Sequence, residues 1–280
     1  MKIENAIIQA THQLIQKKIK SPKLDSEILM SKVIKKDRKF IILNSQMELK
    51  KNSLNYFNQL IKQRLLGKPV AYLIGWKNFW KDNFEIKEDV LIPRPDTEII
   101  IEETLKLTKH KKKWNVLDIG IGSGCILLSI LNEKKDFYGV GIDKSRKCID
   151  LSKTNALNIG LKNRIKFFKS DVDNFNYGKY DLIISNPPYI SRVDLNKLDK
   201  EVANFEPRIA LDGGLDGLTE IRKVVSKSSK LIKKNGKLIL EIGFNQKERV
   251  KKILINRGFY INKTLKDYAK NNRCIVSTKQ

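Results

Sequence analysis

Apolar residues recur at Ile3, Ile7, Ala10 and Leu14, and again at Leu54, Phe57, Ile61 and Leu65. That is the spacing of one face of an α-helix. Between them Ser21-Pro22 reads as a helix start, with Leu24, Ile28 and Leu29 on the apolar face. Residues 1–67 are therefore predicted to form a small all-helical domain, suited to packing or partner docking. Gly67-Lys68-Pro69 breaks the pattern. From Tyr72 to Ile92 the chain is aromatic and partly alternating (Trp76, Phe79, Trp80, Phe84, Ile86, Val90), which predicts a β-hairpin turning near Lys81-Asp82-Asn83. This hairpin makes residues 68–95 a linker, and Asp96 is placed to cap the next helix, with Ile99, Ile100 and Leu105 inward.

Beyond Lys113 the texture changes. Strand-like runs at 114–118, 137–142, 165–169, 180–185, 236–242, 259–265 and 273–278 alternate with helical segments. Alternation of this kind predicts an α/β domain over residues 96–280, a mostly parallel Rossmann-like sheet covered by helices on both faces. No apolar leader pattern and no stretch long enough for a membrane span is expected. Cys125, Cys148 and Cys274 are odd in number, widely spaced and without nearby histidines. They fit neither a disulfide framework nor a zinc site, so no metal and a reducing cytoplasm are expected.

The formal charge of +25 invites a nucleic-acid reading. Yet 45 lysines stand against 11 arginines, scattered among isoleucine and asparagine. Readers of bases and phosphates favour the arginine fork. The lysines read as solvated faces, and neither a specific nucleic acid nor a membrane is expected as partner.

The run VLDIGIGSGC, residues 116–125, is a strand followed by Gly120, Ile121, Gly122, Ser123 and Gly124 and then a helix. Glycines there let the backbone turn sharply and approach a ligand, though dinucleotide enzymes use a similar loop. Two details favour S-adenosylmethionine over NAD. Asp118 would suit an ammonium and be poor beside a pyrophosphate, and the glycines follow G-x-G-x-G. Asp143 closes the next strand and can bond both ribose hydroxyls. Ser170-Asp171-Val172 follows the third, where Val172 can meet the adenine ring. Each acid could instead be a helix cap, but three polar strand ends on one sheet edge point jointly to a cofactor site.

The fourth strand ends in Ser185-Asn186-Pro187-Pro188-Tyr189. A planar nitrogen is a poor nucleophile because its lone pair is delocalised. The Asn186 side-chain oxygen and the Pro187 carbonyl can hold both hydrogens of an NH2 group and aim its lone pair at a methyl donor. The prolines would hold these acceptors still, and Tyr189 offers a face for a planar group. A plain proline turn is the simpler alternative.

Asn-Pro-Pro-Tyr at this position resembles the amino-methyltransferase motif shared by enzymes acting on adenine, guanine and glutamine. With VLIPRPDTE at 90–98, EPRIALDGGLDGL at 206–218, YLIGWKNFW at 72–80 and EIGFNQ at 241–246, the chain resembles the bacterial release-factor glutamine methyltransferases over nearly its whole length. The resemblance implies a class I S-adenosylmethionine-dependent methyltransferase sheet and methylation of the glutamine in the Gly-Gly-Gln motif of class-I peptide chain release factors. It implies cofactor binding by Gly120–Gly124, Asp143, Val172 and Asn186, and substrate binding by Asn186, Pro187, Pro188 and Tyr189. Asn186, Pro187 and Tyr189 are its catalytic candidates. Pro93, Arg94, Thr97 and Glu98 would close over the methionine end, unless Arg94 and Glu98 form an ordinary helix-start ion pair. The family's Gly-x-Asp-Arg-like turn is here Asp267-Tyr268-Ala269-Lys270-Asn271-Asn272-Arg273, without glycine, which predicts a local loop change and no lost chemistry. A ribosomal-protein glutamine methyltransferase remains the nearest alternative, and a nucleic-acid amino-methyltransferase the next. A non-catalytic RNA-binding protein fits poorly with the intact Asn186-Pro-Pro-Tyr.

Overall fold

The computed structural model describes residues 1–280. In chain order its first elements are α1 (Ile3–Gln16), α2 (Pro22–Ile34), α3 (Arg38–Leu43), α4 (Lys51–Leu65), α5 (Val70–Ile74), β1 (Trp76–Phe79) and β2 (Asp82–Glu85). There follow α6 (Glu98–Leu107), β3 (Asn115–Ile119), α7 (Cys125–Glu133), β4 (Tyr138–Asp143), α8 (Arg146–Asn158), β5 (Ile165–Lys169) and β6 (Tyr180–Ser185). The remainder is α9 (Arg192–Leu195), α10 (Lys200–Phe205), α11 (Thr219–Leu231), β7 (Ile232–Glu241), α12 (Lys247–Ile255), β8 (Phe259–Lys266) and β9 (Asn272–Lys279). Two compact units result, Met1–Trp76 with Asp199–Phe205, and Lys77–Leu198 with Glu206–Gln280.

In the helical unit α1 buries Ile3, Ala6, Ala10 and Leu14. They share one core with Leu29, Met30, Ile41, Phe57, Leu60, Ile61 and Leu73. α2 departs from its expected face: Leu24 is exposed, while Asp25 and Ser26 are buried. The cause is Arg64 of α4, itself buried, which donates to Asp25 Oδ2 at 2.7 Å and to Glu201 Oε2 of α10 at 2.9 Å. A charge removed from water must be paired, so α2 turns its acid inward. Burial still pushes the Asp25 carboxyl up, outweighing Arg64. The expected hairpin start at Tyr72 is helical instead, because Pro69 opens α5 and Gly75 closes it at φ 85°.

The larger unit carries a seven-stranded sheet in the order β5-β4-β3-β6-β7-β9-β8. β5, β4, β3, β6 and β7 run parallel, and β9 is antiparallel to both β7 and β8. Each expected strand is present within a residue or two, save that β7 begins earlier, at Ile232. From β3 the chain winds outward through β4 and β5, then returns to β6 on the other side of β3. Right-handed crossovers therefore set helices on opposite faces and open a crevice at the carboxyl ends of β3 and β6. The hairpin is short, with Trp80 at φ 56° in its turn and Asp82 already in β2. Asp96 does not cap α6; Thr97 precedes that helix without a side-chain cap bond. The inward face of α6 is Ile100, Ile101 and Thr104, with Ile99 and Leu105 only partly covered.

Candidate active site

Four parallel strands release the chain at one sheet edge. β3 passes into Gly120, β4 ends at Asp143, β5 is followed by Ser170-Asp171, and β6 by Asn186. Across this edge lies a cleft of about 1090 Å³, its mouth included, lined by Gly120, Ile121, Gly122, Ser123, Asp143, Val172, Asn186, Pro187 and Pro188. Pro93, Arg94 and Thr97 also border it, whereas Gly124, Tyr189, Glu98 and Asp118 do not.

The glycine loop is fastened to β4, with the Gly120 and Ile121 amides both donating to the Ile142 carbonyl at 2.9 Å. Gly120 and Gly122 adopt φ of 81° and 55°, and a Cβ built on either meets nothing within 4 Å. Backbone in this left-handed region favours glycine, and here it faces open space that a ligand can use. Asn155, a fully buried residue that sequence reasoning missed, holds the loop from behind. Its Nδ2 donates to the Ser123 carbonyl at 2.9 Å and the Glu85 carbonyl at 3.1 Å, and its Oδ1 accepts from the Glu85 amide.

Asp143 is not a helix cap. Ser145 caps α8, while Asp143 Oδ2 accepts from the Gly122 amide at 3.0 Å and Oδ1 from the Ser145 amide at 2.8 Å. The Cys148 thiol bonds the same carboxylate, and the lone-pair capacity that remains can accept from a hydroxyl. Burial raises its pKa, and the two amides oppose that shift. Asp118 lies wholly buried beneath the loop, neither oxygen making a hydrogen bond of normal geometry. Burial, and behind it the Asp143 charge, push its carboxyl up to about 8. Cys125 and Cys148 border the cleft as protonated thiols, burial having pushed each to about 12.

Asn186 Nδ2 donates to Thr97 Oγ1 at 3.3 Å, and Thr97 donates to Glu241 Oε2 at 2.8 Å. The other Glu241 oxygen accepts from the Tyr189 hydroxyl at 3.2 Å, and Arg273 Nη1 donates to that hydroxyl at 3.3 Å. Tyr189 thus spends its polar end behind the loop, away from the cleft wall. Asn186 Oδ1 and the Pro187 carbonyl accept no hydrogen bond from the protein. The glycine-free turn is closed by Asp267, which accepts from the Asn271 amide at 2.8 Å and from Arg273 Nη2 at 2.8 Å, with Lys270 at φ 65°.

Residues 206–218 brace the same loop. The Gly213 amide donates to the Ile190 carbonyl at 2.8 Å. Gln246 Nε2 donates to the carbonyls of Tyr189 at 2.8 Å and Gly217 at 3.1 Å. Arg94 pairs with the buried Glu206 and makes no pair with Glu98, whose Oε1 accepts from the Trp80 amide at 2.8 Å. The acids Glu241 and Glu206 had no individual role legible in the sequence; they lay inside motif stretches only.

This sheet order, with a glycine loop, an acid and an Asn-Pro-Pro-Tyr segment on one edge, defines a Rossmann-like S-adenosylmethionine-dependent methyltransferase. Residues 96–204 match the methyltransferase small domain model and residues 5–75 the PrmC N-terminal domain model. The release factor glutamine methyltransferase of Buchnera aphidicola subspecies Baizongia pistaciae is 38% identical over 284 residues, covering 100% of both chains. That of Clostridium acetobutylicum is 37% identical over 282 residues, covering 100% of this chain and 99% of its own. A methyltransferase from Pyrococcus furiosus, at 16% identity, shares the fold with a TM-score of 0.53 over 70% of this chain and 88% of that one. The chain belongs to the release factor glutamine methyltransferase family.

Proposed function

We propose that this protein methylates the side-chain amide of the glutamine in the Gly-Gly-Gln motif of class-I release factors, in the cytoplasm, with S-adenosylmethionine as donor. The observation that carries the reading is the pair of unsatisfied acceptors, Asn186 Oδ1 and the Pro187 carbonyl, at the cleft beside the glycine loop. The residues fit the cofactor: the open backbone at Gly120 and Gly122 would take its amino-acid end, Asp143 the ribose hydroxyls and Val172 the adenine, and Asn186 would serve both ligands. Gly124, where a Cβ would meet Leu128 at 2.8 Å, lets the loop pack closely on α7. The helical unit is the proposed docking module for the release factor.

When bound, the cofactor supplies an electrophilic methyl group on a sulfonium sulfur. This chain's task is to present a reluctant nitrogen to it. Asn186 Oδ1 and the Pro187 carbonyl each accept one N–H of the glutamine amide, which turns its lone pair toward the donor. Two consecutive prolines fix the loop's φ angles, so the acceptors reorganise little during transfer. Tyr189 steadies the loop through its hydroxyl and through its carbonyl on Gln246.

The test is single-turnover methylation of a release factor at saturating cofactor, beside a ribosomal protein and RNA. Asn186→Ala should slow transfer about 100-fold to 1,000-fold, by analogy with oxyanion-hole donors, while release-factor affinity holds. Methyl transfer confined to RNA or the ribosomal protein, or a variant as fast as wild type, would overturn the reading.

A further inference from the structure

Glu241 ends β7 almost fully buried, touching neither the glycine loop nor the cleft. We infer that Glu241 is a positioning residue that acts through Thr97 to decide which end of the Asn186 amide faces the cleft; this rests on the reading of Asn186 as the amide clamp. The argument is a count of protons. Thr97 owns one hydroxyl proton, and it goes to Glu241 Oε2 at 2.8 Å. Thr97 Oγ1 then has only lone pairs for Asn186, so it meets the amide nitrogen, at 3.3 Å. Asn186 Oδ1 is thereby turned away from Thr97 and left free to accept. The opposite flip would set two acceptors against each other. An amide's oxygen and nitrogen are nearly equal in size, so packing does not choose between the flips; a hydrogen-bond network does.

The rest of the network fixes Glu241 as an acceptor. Arg273 Nη1 donates to the Tyr189 hydroxyl oxygen, which directs the phenolic proton onto Glu241 Oε1. Facing the carboxylate are Arg273 and Cys274 from β9, Tyr189 from the loop after β6, Asp96 and Thr97 from the turn before α6, and Cys125 from α7. Burial pushes the Glu241 carboxyl up to about 7, against the opposing Thr97 bond, Arg273 charge and Tyr189 bond. Once protonated, Glu241 can donate to Thr97, which frees the threonine proton for Asn186 Oδ1 and permits the wrong flip. Lower pH should therefore loosen the clamp.

Two variants separate this relay from mere packing. Thr97→Val removes the hydroxyl at nearly constant volume, and Thr97→Ser keeps it. In cofactor-free protein the Asn186 side-chain ¹⁵N–¹H signals of wild type should carry a titration step near pH 7 that Thr97→Val lacks, while any step near pH 8 from Asp118 on the neighbouring strand should be common to both. In single turnover at saturating cofactor, Thr97→Val should be about 10-fold to 100-fold slower, a misplacement effect, with release-factor affinity unchanged and Thr97→Ser recovering most of the rate. Identical Asn186 titrations in wild type and Thr97→Val, or a Thr97→Ser variant as slow as Thr97→Val, would overturn the relay. The spectroscopic arm needs no substrate, so a wild type inactive on release factors would overturn the substrate assignment while the Asn186 signal still decides the relay.

Discussion

Replacing Gly217 by alanine should damage the clamp from outside the cleft. Gly217 sits at φ 73°, and a Cβ there would lie 2.5 Å from the Tyr189 carbonyl oxygen, 2.7 Å from Gln246 Nε2 and 3.2 Å from the Ser191 amide. Left-handed backbone costs an alanine about 1–2 kcal/mol. The methyl group must also push aside a main-chain oxygen, which cannot swing away as a side-chain end can. If Gln246 is displaced, its bonds to the Tyr189 and Gly217 carbonyls go with it, about 1 kcal/mol or more each. The sum is about 3–5 kcal/mol, a large part of the roughly 5–15 kcal/mol that holds a typical domain. Gly160→Ala isolates the first contribution, since Gly160 has φ 76° and nothing within 4 Å of the added carbon. Urea denaturation of both variants gives the steric part by difference. Because Tyr189 adjoins the two proline carbonyls, single-turnover methyl transfer by Gly217→Ala should fall up to about 100-fold, with cofactor affinity little changed. Equal destabilisation by the two variants, with transfer at the wild-type rate, would refute the claim that residues 206–218 brace the clamp.

Asp143→Ala should weaken S-adenosylmethionine binding by about 1–3 kcal/mol and also loosen the Gly122 and Ser145 amides that the carboxylate now holds; calorimetry and thermal melting report the two losses separately, and unchanged affinity would count against the ribose role. Asp118 has a folded-state pKa of about 8, above the unfolded carboxylate value near 4, so the native state binds more protons between them and this residue's contribution to stability falls as pH rises through that window. Asp118→Asn should therefore gain on wild type from pH 5 to pH 8 and keep a constant lead above it, as read from urea midpoints; parallel profiles would contradict this.

What the sequence made legible was local. A strand running into Gly120, Gly122 and Gly124, or into Asn186-Pro187-Pro188, is written in adjacent residues whose backbone limits are known in advance. The face of α2 was not legible, because Asp25 turns inward for an arginine on α4 that no helical period announces. The partner of Arg94 was missed for the same reason: Glu98 lies one turn away, but the bond goes to Glu206, far along the chain. Thr97 and Glu241 are 144 residues apart, so their bond exists only once β7 lies beside the turn before α6. Asn155 reads as one more polar residue on a helix until the hairpin and the glycine loop are both found against it.

The position of β9 also orders events in time. β8 pairs with β9 alone, and β9 fills the place between β7 and β8. As the polypeptide leaves the ribosome, β7 emerges with Leu238, Ile239 and Leu240 along an edge that has no partner, and β8 follows with nothing to pair with. Both wait for residues 272–279. Nascent chains with such open edges are prone to wrong pairing. Arg273, which sets the Tyr189 proton, arrives in that same late strand. On the proposed reading the clamp is thus completed only by the last strand of this sheet to be synthesised, and a half-made chain carries the glycine loop long before it carries the residues proposed to orient Asn186.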